Sequence, residues 1–128
     1  WWIRDTLNKG ETYPPYNIGV EYTDNTNTGY FIEVAVAGLK TEDLQVEVRD
    51  KAGVNFLYIR GRHREVNDNN VKYSHKGIAT RAFNLTFELG KNTEVSNVAI
   101  NNGILRVDMK VVIAEEEKPK IFEIKKGD

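Results

Sequence analysis

Apolar residues alternate with polar or small residues over most of the chain, and this period of two is the feature that most constrains its fold. In YFIEVAVAG at 30–38, for example, Ile32, Val34 and Val36 occupy alternate positions. Successive side chains of a β-strand point to opposite faces, so this alternation predicts half-buried strands. The pattern recurs at Leu44, Val46 and Val48, at Leu57 and Ile59, at Phe83, Leu85, Phe87 and Leu89, and at Leu105, Val107, Met109 and Val111.

Turn signals separate these segments and complete the prediction of the fold class. TDNTNTG precedes the first long strand, and Asn102-Gly103, a strong hairpin signal, precedes the last alternating segment. Only KTEDL could form a helical turn, started by Thr41. The sequence therefore predicts an all-β fold, an immunoglobulin-like antiparallel β-sandwich of about seven to eight short strands.

The composition fits one domain and excludes several classes of function. A chain of 128 residues suits a single core. The net charge of −1 provides no basic field for a phosphate backbone, so we predict no nucleic-acid partner. Neither an apolar run long enough to span a membrane nor a signal peptide is visible. The absence of cysteine excludes a disulfide framework and fits a reducing compartment, so we predict a cytoplasmic location.

The C-terminal segment EEEKPKIFEIKKGD combines high charge with large apolar side chains. Nine of its fourteen residues are charged, yet Ile121, Phe122 and Ile124 lie among them. A segment of this composition buries too little apolar surface to become ordered by itself. Two interpretations remain open at this point: KIFEI is the last strand of the sheet, or it binds in a groove elsewhere.

A second unusual segment is the long connection from Gly61 to Arg81. Connections of this length are uncommon unless they are functional or disordered. Within it, VKYSH at 71–75 has weak strand character. Such a strand could pair with another subunit by domain swapping, or the segment could be an insertion with an incidental apolar patch.

No residue pattern in the chain supports catalysis or metal binding. His63 and His75 lie in the long polar loop, where lone histidines are usually solvated. A metal site formed by these histidines with Asp68 would require order that we do not expect in this loop. Ser74 and Ser96 do not lie in a nucleophile elbow, and no Walker-type phosphate loop is present. We therefore predict that the chain is not an enzyme and has no catalytic residue, cofactor or metal.

Three segments together resemble the small heat shock proteins of the α-crystallin family, and in particular the bacterial inclusion-body-associated type. They are YPPYNI at 13–18, FIEVAVAGLKTEDLQVEV at 31–48 and AINNGILRVDM at 99–109. The third is similar to the family signature A-x-x-x-N-G-x-L. The resemblance implies an α-crystallin domain over 13–113, a remnant of an N-terminal arm over 1–12, and a flexible C-terminal extension over 114–128. Because WWIRD lacks an initiator Met, we expect the sequence to be part of a longer chain.

The resemblance implies that the C-terminal extension binds a neighbouring subunit through a short apolar motif. Here the motif corresponds to Ile121, Phe122 and Ile124, although Phe122 stands where the family usually has Ile or Val, and Ile121 offers an alternative register. Two apolar residues spaced by one point to the same side of an extended segment. The implied groove lies between two edge strands and is formed by Leu44, Val46, Val48, Val95, Asn97 and Ala99.

The resemblance also implies a strand-swapped dimer and an N-terminal arm that binds non-native proteins. The swapped strand would comprise Val71, Lys72, Tyr73, Ser74 and His75. It would pair with Asn17, Ile18, Gly19 and Val20 of the partner. The apolar contact residues of the arm would be Trp1, Trp2, Ile3 and Leu7, although these side chains could instead cover the rim of the sandwich.

From this resemblance we predict an ATP-independent holdase chaperone that prevents partly unfolded proteins from aggregating. Its partners would be itself, as a dimer and a higher homo-oligomer, and non-native client proteins, since unfolding proteins expose apolar surface and strand edges. The alternative is a β-sandwich binding or structural module, of the co-chaperone or coat type, without holdase activity. Sandwich folds support many unrelated functions, so the fold alone does not decide between them.

Overall fold

The structure of the chain is a computed structural model, and it describes residues 2–8, 13–63, 69–78, 80–112 and 121–127. Its strands form two antiparallel four-stranded sheets, which confirms the predicted β-sandwich. In chain order the strands are β1 (Ile3–Arg4), β2 (Tyr16–Thr23), β3 (Thr26–Ala35), β4 (Leu44–Lys51), β5 (Val54–Gly61), β6 (Phe83–Leu89), β7 (Thr93–Asn101) and β8 (Ile104–Val111). A single turn of 3-10 helix at Thr41–Asp43 precedes β4, where the sequence predicts a helical turn.

The order of strands in each sheet determines which edges are free. One sheet has the order β1-β6-β5-β4, and the other has the order β2-β3-β8-β7. The inward-facing residues of both sheets form one buried cluster, and these are the alternating apolar residues of the sequence. Within this cluster Ile32, Leu57 and Phe87 have no exposed surface. Burial of each such side chain contributes about 1.5–3 kcal/mol relative to exposure.

Tight hairpins connect neighbouring strands. Asn102 and Gly103, between β7 and β8, have φ angles of 54° and 76°. Asp24 and Asn25, between β2 and β3, have φ angles of 51° and 64°. Positive φ at both central residues is typical of the type I′ turn, whose twist matches that of paired strands. The hairpin predicted from Asn102-Gly103 is therefore confirmed.

The first strand, β1, has no counterpart in the sequence prediction. Ile3 and Arg4 pair with Leu89 and Glu88 of β6. Ile3 is 4% exposed and belongs to the core, so the structure does not present it as a free contact residue of an arm. The predicted arm residues Trp2 and Leu7 are exposed, and Trp1 lies outside the described residues. Two residues are too few to show an alternating pattern, which is why the sequence did not reveal this strand.

Tyr16 of β2 connects the N-terminal segment to the core. Its ring packs edge-on against Phe87, with 5.3 Å between ring centroids, and its hydroxyl donates a hydrogen bond to Asp5. Burial, this hydrogen bond and the negative charge of Asp5 raise the pKa of Tyr16 from 10.0 to about 12. The folded state therefore holds this proton more tightly than the unfolded state does.

This shift predicts a specific loss of stability at high pH. Because the pKa of Tyr16 is raised in the folded state, its contribution to stability is complete below about pH 10 and is lost as the pH rises toward 12. We expect the free energy of unfolding of the wild type, measured by urea denaturation, to fall more steeply over this range than that of Tyr16→Phe. Parallel declines in the two proteins would contradict the assignment.

Candidate functional site

Contacts between the sheets show which free edges lie on the same side of the sandwich. Tyr16 of β2 contacts Phe87 of β6, and Trp2, beside β1, contacts Tyr30 of β3 with 6.4 Å between ring centroids. The β1-β6 end of one sheet therefore lies over the β2-β3 end of the other. Because the strand orders run in the same direction from these ends, β4 and β7 are the two edge strands on the opposite side.

On the β4 side, the apolar residues predicted for the groove point toward the space between the sheets. Leu44 and Val46 are half-buried and pack against the core. Val48 is 43% exposed, so the apolar face of β4 opens toward solvent along its length. In register, Leu44, Val46 and Val48 lie opposite Gly61, Ile59 and Leu57 of β5. This strand therefore provides an unpaired backbone edge together with an apolar inner face.

On the β7 side, a β-bulge changes which residues point inward. The register with β8 shifts between Val95 and Asn97. A bulge of this kind places two residues opposite one and reverses the facing of the residues that follow. Beyond the shift, Val98 pairs with the buried Val107, and it is 43% exposed.

The predicted groove residues Asn97 and Ala99 consequently require correction. They pair with Asp108 and Arg106, whose side chains lie on the outer face of the sheet and bond to each other with Arg106 Nε 2.9 Å from an Asp108 carboxylate oxygen. If the alternation continued unbroken from Val95, Asn97 and Ala99 would point inward. The bulge breaks the alternation, so these two side chains point outward instead. We call the space between β4 and β7 the edge groove, which is lined by Leu44, Val46, Val48, Val95 and Val98.

The outer face beside β4 is charged. Tyr58 of β5 is buried beneath Arg49 and Arg60, whose guanidinium carbons lie 5.5 and 5.1 Å from the ring centroid. Arg49 Nε donates to Glu47 at 2.7 Å, and this hydrogen bond lowers the pKa of the Glu47 carboxyl. Charged side chains on an edge strand oppose indiscriminate pairing with other strands. The edge groove is therefore apolar inside and charged outside.

The apolar tail, Ile121 to Ile124, lies outside both sheets. Ile121, Phe122 and Ile124 are 95%, 80% and 94% exposed, and residues 121–127 form no strand. Of the two interpretations of KIFEI, its incorporation as the last strand of this chain's own sheet is therefore wrong. The preceding residues, including Glu115–Glu117 and Pro119, lie outside the described residues.

The predicted swap strand is also exposed and unpaired with the chain's own sheets. Val71, Lys72, Tyr73, Ser74 and His75 are all exposed and lie in no strand. The four residues predicted to receive the swapped strand, Asn17, Ile18, Gly19 and Val20, are all in β2. This strand pairs with β3 alone and is the outer strand of its sheet. The two predicted partners of the swap are thus both available in the single chain.

The part of the chain that the structure describes contains no group of three His, Cys, Asp or Glu side chains that could hold a metal ion. Asp68, considered with His63 and His75 as a metal ligand, lies outside it. The absence of a metal and of a catalytic site thus stays a prediction. Among the described residues, no helix has the length and apolar character needed to cross a membrane.

Comparison with known proteins identifies a family for most of the chain. The sequence pattern of the Hsp20/alpha crystallin family matches residues 22–125. The 16 kDa heat shock protein B of Azotobacter vinelandii is 38% identical over 88% of this chain and 71% of its own length. The small heat shock protein IbpA of Escherichia coli is 37% identical over 88% of this chain and 75% of its own length.

Solved structures agree with the sequence comparison. A C-terminally truncated small heat shock protein AgsA from Salmonella typhimurium superimposes with a TM-score of 0.63 and 30% identity, covering 87% of this chain and 98% of that protein. A small heat shock protein from Synechococcus phage S-ShM2 gives a TM-score of 0.55 and 30% identity, over 88% and 99% of the two chains. Sequence and fold therefore agree on one family.

Proposed function

The chain belongs to the Hsp20/alpha crystallin family of small heat shock proteins, and on this basis we propose that it is an ATP-independent holdase that assembles into oligomers of dimers. The observation that carries the proposal is that one chain has both an exposed apolar tail and an apolar edge groove in which Val48 and Val98 are each 43% exposed. Neither is covered within the described chain. Exposed apolar surfaces of this kind mark interaction sites.

The apolar tail of one subunit binds in the edge groove of another. An extended peptide beside an edge strand gains main-chain hydrogen bonds, while side-chain pockets determine which sequence fits. Residues of the tail spaced by one, such as Phe122 and Ile124, would face the apolar floor formed by Val46 and Val48. The lysines that flank the tail would remain in solvent, where their charge keeps an undocked tail soluble.

The bulge in β7 allows the docking site to be tested with two neighbouring substitutions. Val98 faces the edge groove, whereas Asn97 faces outward. We expect Val98→Asp to release the tail and lower the mass of the assembly, because a carboxylate would be buried under the docked side chains. Asn97→Asp introduces the same charge one residue away and should leave the mass unchanged. Multi-angle light scattering after size-exclusion chromatography distinguishes these outcomes, and equal masses for the two variants would contradict docking in this groove.

The dimer forms by exchange of the loop that contains the predicted swap strand. Residues 71–75 of one subunit pair with the free edge of β2 in its partner. In this arrangement the exposed Val71 and Tyr73 side chains pack against the partner. The backbone of residues 71–75 forms hydrogen bonds with the free edge of β2. Exchange of an identical element between protomers is an accessible route to a symmetric dimer.

Clients bind the apolar surfaces that assembly covers. Partly unfolded proteins expose the same features as the tail, namely extended segments with large apolar side chains. Tail and client therefore compete for the edge groove, and mass action couples assembly to activity. No nucleotide is needed for this cycle. The net charge of −1, the absence of cysteine and the reliance on protein clients fit a cytoplasmic protein.

The holdase activity is tested by light scattering from a heat-labile client protein, warmed with and without the chain in a buffer free of ATP. We expect suppression of scattering near a one-to-one subunit ratio. The Phe122→Ala and Ile124→Ala double variant serves as the matched comparison, because it leaves the lining of the groove intact and free of the tail, and it should lower the onset temperature of suppression. If the wild-type chain leaves scattering unchanged at every temperature, the alternative of a binding or structural module without holdase activity is supported instead.

A further inference from the structure

Residues 2–8 connect the two sheets on the side opposite the edge groove, and we call them the N-terminal strap. Ile3 and Arg4 pair with β6 as β1, and the backbone N–H of Gly90 donates to the carbonyl of Trp2 at 2.7 Å. On the other sheet, the strap contacts β2 through Asp5 and β3 through Trp2. The strap therefore closes the second open side of the sandwich.

Asn8 completes this closure with its side chain. Its Nδ2 donates to the carbonyl of Thr86 at 2.7 Å, and the backbone N–H of Thr86 donates to its Oδ1 at 3.0 Å. The carboxamide thus satisfies one donor and one acceptor of β6, as the backbone of a neighbouring strand would. Unpaired strand edges are sites of association with other chains. The strap therefore occupies a site that β6 could offer to another extended segment.

The strap is held by few contacts compared with the other strands. β1 contains two residues, whereas each of the other strands contains at least seven. Ile3 is the only buried apolar residue among residues 2–8, and Leu7 is exposed. Segments with few buried apolar contacts open at the lowest free-energy cost. Release of the strap would leave the core without the Ile3 side chain and β6 without its outer partner.

We propose that the site filled by the strap is a second peptide-binding site, at which an extended segment of a non-native protein adds to β6 when the strap leaves. The inference rests on the proposed function, since it names a surface for the same class of partner. It differs in place from the edge groove, because β6 and β4 border opposite sides of the sandwich. The chemistry of the occupant is read from the strap itself, which is an extended segment with an aliphatic anchor.

The register of β1 specifies which segments fit best. The anchor takes the place of Ile3, opposite Leu89, and must be aliphatic to fill the core. The next residue lies opposite Glu88, as Arg4 does, so a basic residue is favoured there. The carbonyl before the anchor accepts from the N–H of Gly90. An aliphatic residue followed by a basic residue is therefore the preferred sequence.

The test uses full-length chains and a fluorescent peptide with the sequence of residues 2–8, WIRDTLN. Ile3→Ala removes the anchor of the chain's own strap and should open the site. Arg4→Cys with Glu88→Cys should lock it, since paired residues on neighbouring strands lie within the range of a disulfide. The chain has no cysteine of its own, so oxidation forms only this bond within one chain, and non-reducing electrophoresis identifies any bond between chains. A peptide with Asp in place of the anchor Ile is the matched control.

We expect fluorescence anisotropy to show that Ile3→Ala binds the peptide about tenfold or more tightly than the wild type, because the chain's own strap competes at high effective concentration. The double-cysteine variant should bind the peptide less tightly when oxidised than when reduced, a comparison in which Glu88 is absent from both forms. Both tryptophans of the chain are at positions 1 and 2, so intrinsic tryptophan emission reports release of this segment. It should shift to longer wavelength in Ile3→Ala and not in the oxidised variant.

Equal peptide affinity for the opened and locked chains, or equal affinity for the two peptides, would overturn the proposal. If circular dichroism shows that Ile3→Ala is unfolded, Asn8→Ala replaces it, since it removes the two hydrogen bonds from the strap to Thr86 and leaves β6 unchanged. The assay contains no aggregating protein. A negative peptide result together with suppressed client scattering would therefore reject this site alone, whereas peptide binding without suppression would reject the proposed holdase function alone.

Discussion

Alanine at both Phe122 and Ile124 should reduce the oligomer to dimers. Both side chains are almost fully exposed in the single chain, so their truncation costs the folded subunit little. In the assembly, each docked side chain would contribute about 1.5–3 kcal/mol by burial. Loss of both side chains would weaken every contact between dimers at once, because each subunit contributes one tail. The change in mass is therefore expected to be several-fold rather than gradual.

The mass is measured by multi-angle light scattering at a fixed subunit concentration, with circular dichroism to verify that the fold is intact. Lys125→Ala with Lys126→Ala is the matched control, because it truncates two exposed side chains of the same tail without removing an apolar anchor. The control should keep the wild-type mass. An unchanged mass in the Phe122→Ala and Ile124→Ala double variant would contradict the proposed role of the tail in assembly.

Aspartate at both Val71 and Tyr73 should convert dimers to monomers. Both side chains are exposed in the single chain, and a swapped strand would bury part of their surface against the partner. A carboxylate at each position would have to be desolvated on dimerisation, which costs several kcal/mol per unpaired charge in a buried setting. Because the proposed oligomer is built of dimers, this pair of substitutions should also abolish higher assembly.

A matched control is available two residues upstream. Asn69→Asp with Asn70→Asp adds the same two negative charges to the same loop, outside the predicted swap strand. Analytical ultracentrifugation should give a monomer for the Val71 and Tyr73 variant and the wild-type species for the control. A stable dimer in the first variant would show that the contact between subunits lies elsewhere.

The sequence was informative wherever burial imposed a period on several residues. The five alternating segments correspond to β3, β4, β5, β6 and β8, and Asn102-Gly103 forms the expected turn. Strand alternation is a local consequence of the pleat, so it can be read without knowledge of the partners. The edge strands of the proposed docking site were inferred from the family resemblance.

Two features could not be read from the sequence, and both depend on tertiary context. β1 forms because Ile3 fills the end of the core and because the edge of β6 is otherwise unpaired. The sequence of a two-residue segment indicates neither property. The sequence does not indicate the bulge in β7 either, since Val95, Asn97 and Ala99 occupy every second position without interruption. Val98 was missed for this reason. One sign was present, namely that Val98 and Ile100 form a second apolar set with a spacing of two.

Under the proposed docking, the placement of one apolar tail and one edge groove on every chain has a consequence for the population of assemblies. Undocked tails and undocked grooves are always equal in number while the protein binds only itself. A client that enters a groove breaks this equality and leaves an unmatched tail, which can recruit a groove from another assembly. Loading with clients should therefore broaden the distribution of particle sizes and draw subunits toward the client, rather than simply dissolve the oligomer.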